Sequence, residues 1–262
     1  MGAIIGDIVG SRFEFNNIKT KEFEFFHERC KFTDDSVMSL AVAKALMDCG
    51  EDYDKLGAKA IESMRELGEA YPGRGYGGMF RKWLHADYPA PYNSFGNGAA
   101  MRVSACAFVA NSIEEAIQLT RKVTEVTHNH PEGIKGAEAT VVCAFLARTG
   151  RGIREIRDYI NERYYQMNFM LDDIRDGYQF CDTCQGTVPQ AIAAFLESIS
   201  YEDSIRGAVS LGGDSDTLAA ITGGIAEAFY GAPTDICIQA QTFLDERLSR
   251  IVNDFERAFP PR

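Results

Sequence analysis

Twice along this chain a pair of aspartates stands directly in front of a long apolar run. The first segment is Phe32-Thr33-Asp34-Asp35-Ser36, and the second is Gly212-Gly213-Asp214-Ser215-Asp216-Thr217. Taken singly, each reads as a helix start, with Thr33 as an N-cap and the acids complementing the positive end of the helix dipole. Taken together, they place two carboxylates and a threonine hydroxyl at the mouth of each of two buried helices. Four carboxylates converging on one site would repel one another severely unless cations neutralise them. Oxygen-only ligands select hard ions such as Mg²⁺ or Mn²⁺ over Zn²⁺. Two such clusters suit a pair of ions that bind adjacent oxygens of a substrate.

Helical periodicity recurs through the rest of the chain, and strand alternation is nearly absent. Leu56, Ala60, Met64 and Leu67 form one apolar stripe, and Ile153, Ile156 and Ile160 form another. Ser112 with Glu115 predicts a capping box that opens a helix through about Thr127. Val188 to Ser200 reads as a helix with Pro189 in its first turn, and Ala219 to Tyr230 as one stopped by Gly231 and Pro233. Phe23 to Phe26 admits a short strand as an alternative. Glycine gathers in loops, at Gly73 to Gly78, Gly96-Asn97-Gly98 and Gly212-Gly213. The expectation is an all-α, single-domain compact orthogonal helical bundle over residues 1–262, whose loops build a pocket.

Charge and cysteine usage narrow the function. A net charge of −11 with no dense Lys/Arg run makes nucleic acid a poor partner. Seven cysteines, an odd number set mostly in apolar segments (Cys49, Cys106, Cys143, Cys237), suit a reduced cytoplasmic protein. Asp7 and Arg12 interrupt the N-terminal apolar stretch, and no other segment approaches the length of a membrane span. His128-Asn129-His130 and Cys181-Asp182-Thr183-Cys184 lack a second pair at zinc-finger spacing. A third acidic segment, Gly6-Asp7-Ile8-Val9-Gly10-Ser11-Arg12-Phe13-Glu14, has glycines suited to close helix packing. Its Glu14 reads on its own as a surface acid at the end of an apolar helix.

The ordered series G-D-x-x-G-x-x-x-E, F-T-D-D-S, G-N-G-A-x-M-R and G-G-D-x-D-T-x-A-A-I-x-G resembles the ADP-ribosylglycohydrolase family, from Gly2 to about Pro233. That resemblance implies a cleft with two Mg²⁺ (or Mn²⁺) ions at its base. By motif match, Thr33, Asp34, Asp35, Asp214, Asp216 and Thr217 would be metal ligands. Glu14 and Asp35 would be catalytic. Gly77, Gly78, Phe95, Asn97, Gly98, Met101, Arg102 and His128 would bind substrate. The implied reaction is metal-dependent hydrolysis of the bond between ADP-ribose and an acceptor, foremost mono-ADP-ribosylated arginine on a protein. ADP-ribose would be the product. The alternatives are another ADP-ribose conjugate (serine-linked, O-acetyl or nucleic-acid-linked) or a non-catalytic ADP-ribose binder. Glycosidic cleavage at ribose suits these groups, because carboxylates stabilise oxocarbenium character. Glycine-loop N–H groups can hold a diphosphate without a basic patch. Two arginines, Arg74 and Arg102, are candidates for phosphate or for structural pairs. Tyr76, Phe80 and Phe95 are candidates for adenine stacking or for core, and Gly223-Gly224 for close helix packing.

Overall fold

The computed structural model describes residues 1–50 and 52–260. Among these, the periodicities become fourteen α-helices. The first seven are α1 (Gly2–Gly10), α2 (Asp34–Cys49), α3 (Leu56–Ala70), α4 (Gly78–Leu84), α5 (Ser104–Val109), α6 (Ile113–Thr124) and α7 (Pro131–Arg148). The rest are α8 (Ile153–Arg163), α9 (Leu171–Ile174), α10 (Cys184–Leu196), α11 (Tyr201–Ser210), α12 (Ser215–Tyr230), α13 (Thr234–Gln241) and α14 (Glu246–Ala258). The fold is all-α, and the extended pairing among the described residues is one isolated bridge between Gly96 and Thr183. Phe23 to Phe26 forms no strand. The segment lies in the loop between α1 and α2, where Phe23 packs edge-on against Phe13 at 5.1 Å.

Stripes of apolar residues behave as periodicity predicts. Leu56, Ala60, Met64 and Leu67 of α3 are fully buried, as are Ile156 and Ile160 of α8. Ser112 caps α6 by accepting the Glu115 N–H at 3.1 Å. The Glu115 carboxylate reaches back one residue further than a capping box, to the Asn111 N–H at 2.7 Å. The helix stops at Thr124, short of Thr127. One register differs from expectation. Helix α10 begins at Cys184, capped by the Thr183 side chain on the Gly186 N–H, so Pro189 lies inside it. Capping by a threonine hydroxyl outweighs the preference of proline for a first turn, and the Gln185 carbonyl forgoes one intrahelical bond.

Close contact between α1 and α12 sets the geometry of everything above it. Gly2, Gly6 and Gly10 recur every fourth residue along one face of α1. A Cβ at Gly6 would stand 1.9 Å from the Ala219 carbonyl oxygen, and one at Gly10 would stand 2.5 Å from that of Ser215. On α12, Gly223 meets the Gly2 carbonyl in the same way, and Gly224 lies against Ser104. The second acidic motif therefore opens a helix held backbone to backbone against α1, the helix that carries Asp7 and leads to Glu14. Helices α7 and α12 are buried along most of their length, within one continuous apolar core. No described helix is long and apolar enough to cross a membrane.

Candidate active site

The acidic centre is organised from below by Asp7, a carboxylate in the middle of the apolar α1 and fully buried. It accepts the Thr33 N–H at 2.8 Å, the Thr33 hydroxyl at 2.7 Å and the Ser36 N–H at 3.0 Å, together with the Ser36 hydroxyl. An aspartate of α1 thus satisfies orphan donors at the N-terminus of α2 and locks the two helices together. Thr33, the N-cap of α2, accepts the Asp35 N–H at 3.2 Å. It lies under the cleft floor rather than along its wall. The fourth carboxylate oxygen in this part of the centre, Asp35 Oδ1, is buried with no hydrogen-bond partner, while Asp35 Oδ2 accepts the Thr217 hydroxyl at 3.1 Å.

The second acidic motif arrives on α12. Asp214 is its N-cap and accepts the Asn97 side-chain amide at 2.6 Å, tying α12 to the loop before α5. Asp7, Asp35 and Asp216 each offer an oxygen within 4.8 Å of the others, and so do Glu14, Asp214 and Asp216. Two adjacent groups of three carboxylates therefore share Asp216. Among the described residues these metal-capable groups contain carboxylates alone, which matches hard ions rather than zinc.

The electrostatics follow from crowding. Burial first, then the charge of Asp7, pushes Asp34 up to about 8. Burial and then Asp214 push the half-exposed Glu14 up to about 7. Asp35 and Asp216 stand well above the usual carboxylate range, by burial and then by Asp7 and Asp214 respectively. Asp7 and Asp214 are raised by burial, against hydrogen bonds that favour their charged forms. A cation among these groups would reverse the repulsion.

Above the carboxylates opens a cleft of about 700 Å³, within the range of small-molecule sites. Its walls bring together Glu14, Asp34, Asp35, Asp214, Asp216 and Thr217 with Gly77, Gly78, Phe95, Asn97, Gly98, Met101, Arg102 and His128. A Cβ at Gly77 or Gly78 would meet nothing, so their bare backbone faces open space. Gly75 is different. It has a φ of +111°, and a Cβ there would lie 2.7 Å from Asp34 Oδ1, so the glycine loop closes directly over that carboxylate. Phe95 is about 43% exposed at the rim, available to stack on a base. Tyr76 and Phe80 are buried, and Phe80 stacks on Trp83 at 5.3 Å, so they belong mainly to the core. Arg74 lies over the Phe32 ring at 3.8 Å and outside the cleft lining. The Arg102 guanidinium is buried and donates to Val123 O and Thr127 Oγ1.

Several residues of the site carry no role in the sequence reading. Asp7 stands out in the sequence only as an interruption of an apolar stretch, although an acid at the centre of a buried helix needs donors and so points to a site. Asp182 and the half-exposed Phe180 also line the cleft, brought there by the loop before α10, where the cysteines point to zinc spacing instead.

Comparison with known proteins places this arrangement. A model of the ADP-ribosylglycohydrolase family matches residues 1–260. ADP-ribosylhydrolase ARH3 of Homo sapiens is 23% identical over 313 aligned residues, covering 88% of this chain and 84% of the relative. ADP-ribosylarginine hydrolase Tri1 of Pseudomonas putida (strain GB-1) is 26% identical, covering 88% and 69%. A solved structure described as an ADP-ribosylglycohydrolase-related protein complex superimposes with a TM-score of 0.70 at 21% identity, over 98% of this chain and 94% of its own. That likeness speaks for the fold, and the family match spans the acidic motifs, the glycine loops and the helices that carry them. The chain belongs to the ADP-ribosylglycohydrolase family.

Proposed function

We propose that this protein is a Mg²⁺- or Mn²⁺-dependent hydrolase that cleaves the glycosidic bond between ADP-ribose and an acceptor, with mono-ADP-ribosylated arginine on a protein as preferred substrate. The observation that carries the reading is the pair of carboxylate triplets sharing Asp216 at the base of the cleft, where Asp7 lies beneath the lining and the other four carboxylates line it. The residues fit a pair of divalent ions. The donors are all oxygen, they are crowded enough to hold protons in the absence of a cation, and Asp35 Oδ1 is buried without a partner. Asp7, Asp35 and Asp216 would hold one ion and Glu14, Asp214 and Asp216 the other, with Thr33, Asp34 and Thr217 completing or orienting the set. When bound, the ions supply charge stabilisation and a template for substrate oxygens.

The chain's own groups then have separable tasks. Asn97 and Thr217 hold Asp214 and Asp35 in place through their hydrogen bonds. Gly77, Gly78 and Gly98 leave backbone N–H groups for the ligand's diphosphate, whereas the Gly96 and Asn97 N–H groups already donate to Ser94 Oγ and Asp182 O. Glu14 is half-exposed at the cleft beside Asp214 and Asp216, placed to take a proton from the attacking water and pass it to the leaving nitrogen. The new bond joins the water oxygen to the anomeric carbon as the carbon–nitrogen bond breaks. A cationic guanidinium acceptor suits the site because six carboxylates outnumber the charge of two divalent ions. The name of the Pseudomonas relative, an ADP-ribosylarginine hydrolase, supports the same choice.

The test is turnover of an arginine-ADP-ribosylated protein, beside serine- and nucleic-acid-linked conjugates, with the products weighed by mass spectrometry. Free ADP-ribose is expected, fastest from arginine. Activity should be lost with chelator and restored by Mg²⁺ or Mn²⁺, but not in Asp216→Asn. Full activity in thoroughly chelated protein ends the metal reading, and phosphoribose left on the acceptor moves the protein to another reaction class.

A further inference from the structure

Arg102 is about 1% exposed, and no other Lys or Arg among the described residues is buried. The charged neighbours that act on it include no carboxylate; burial lowers it to about 10, and it keeps its charge at neutral pH. A buried guanidinium without a counter-ion is costly, so the fold retains it against its solvation. Its terminal nitrogen donates to Val123 O at 3.2 Å and to Thr127 Oγ1 at 2.5 Å, while Nε has no partner. Thr127 Oγ1 in turn lies 2.7 Å from His128 Nδ1. The far side of that ring faces the cleft loop: a Cβ at Gly98 would lie 3.4 Å from His128 Nε2, and one at Gly96 would lie 3.6 Å from it.

The chain of donors has a direction. A guanidinium can only donate, so Thr127 Oγ1 accepts from Arg102 and has its own proton to give. The nearer acceptor is His128 Nδ1, since Thr124 O stands at 3.3 Å. With Nδ1 accepting, the neutral imidazole carries its proton on Nε2. Burial and the Arg102 charge both hold His128 well below the usual histidine range, so the ring stays neutral. Positive charge thus remains buried behind the His128 ring, and the cleft receives an oriented N–H.

We propose that Arg102 is a positioning residue: through the Thr127 hydroxyl it fixes His128 as the Nε2–H tautomer, which donates to a diphosphate oxygen of the ligand. The buried guanidinium is the counter-charge for that diphosphate. The assignment rests on the ADP-ribose reading of the cleft, and it explains how so acidic a protein attracts a dianion without a cation at the cleft mouth.

The experiment combines histidine ¹⁵N NMR with ADP-ribose affinity in the presence of Mg²⁺. Wild-type protein at neutral pH should show a protonated Nε2 and an unprotonated Nδ1 for His128. Thr127→Val keeps the shape but removes the relay. It should shift the tautomer and weaken ADP-ribose binding by about ten- to a hundredfold, the usual scale for a hydrogen bond to a charged group. In turnover the loss should fall on KM rather than kcat. Arg102→Lys should recover more affinity than Arg102→Met. An Nδ1–H tautomer in the wild type overturns the proposal even if no variant folds. Unchanged affinity in folded Thr127→Val overturns it as well, leaving the ADP-ribose reading intact. A wild-type protein that fails to bind ADP-ribose removes that reading and this assignment with it.

Discussion

Glu14 is where a surface acid and a working acid make different predictions. It is half-exposed, adjoins Asp214 and Asp216, and holds its proton up to about 7 because of burial and the charge of Asp214. An ordinary surface acid would tolerate Glu14→Gln within a few tenths of a kcal/mol and at unchanged rate. A positioned acid–base group contributes about 10²–10⁴ in rate, so Glu14→Gln should slow turnover by that order. ADP-ribose affinity should fall much less, because the aspartates and the glycine loops remain. Turnover and affinity measured on the same sample, with a thermal melt to confirm folding, decide the matter. Wild-type turnover in the folded variant would remove Glu14 from the chemistry, and an equal collapse of binding and rate would make it a ligand or clamp.

At the scale of elements, the contact between α1 and α12 is the joint on which the site depends. Asp7 and Glu14 belong to α1 and the chain just after it, while Asp214 and Asp216 belong to the start of α12. A spacer between these helices would move the two acidic groups apart. Gly6→Ala should gain up to about 1 kcal/mol of helix propensity. Its Cβ, however, would fall 1.9 Å from a backbone oxygen of Ala219, which cannot swing aside as a side chain can. Overpacking of this kind costs about 1–3 kcal/mol, so a net destabilisation is expected. Gly57→Ala in α3 is the contrast, since a Cβ there would meet the Lys122 carbonyl at an ordinary 3.5 Å. It should be neutral or stabilising. Denaturant melts of both variants test the pair, and equal stability of Gly6→Ala and wild type would contradict the close packing.

The whole molecule should record the carboxylate cluster in its response to pH and metal. In metal-free protein the folded state holds protons on Asp34 up to about 8 and on Glu14 up to about 7, whereas free carboxylates release theirs near 4. The folded pKa values are raised, so this contribution to stability is fully present below about 4 and is lost as pH rises through about 7 to 8. The melting temperature of chelated protein should therefore fall between about pH 5 and about pH 8. Added Mg²⁺ should raise it most at the alkaline end and release protons into a weakly buffered solution. A melting temperature independent of pH over that window, with no proton release on Mg²⁺ addition, would count against the crowded-carboxylate account.

Much of this molecule is legible in its sequence, because burial along a helix is a local, periodic property. The stripe of α3, the Ser112 cap and the stop at Gly231 follow from neighbours within a few residues. The aspartate pairs announce a charged site because charges at the mouth of an apolar helix need compensation from somewhere. What compensates them is set across the fold. Asp7 is recruited by donors 26 and 29 residues away, and Asn97 reaches Asp214 across 117. Arg74 and Arg102 carry the same guanidinium, yet one stacks on Phe32 and the other is buried beneath His128's partner, Thr127. Residue type states what a side chain can donate, accept or carry. Only the packing of α1 on α12, and of the cleft loops above them, decided which groups lie within bonding distance, because those neighbours are far apart in the chain.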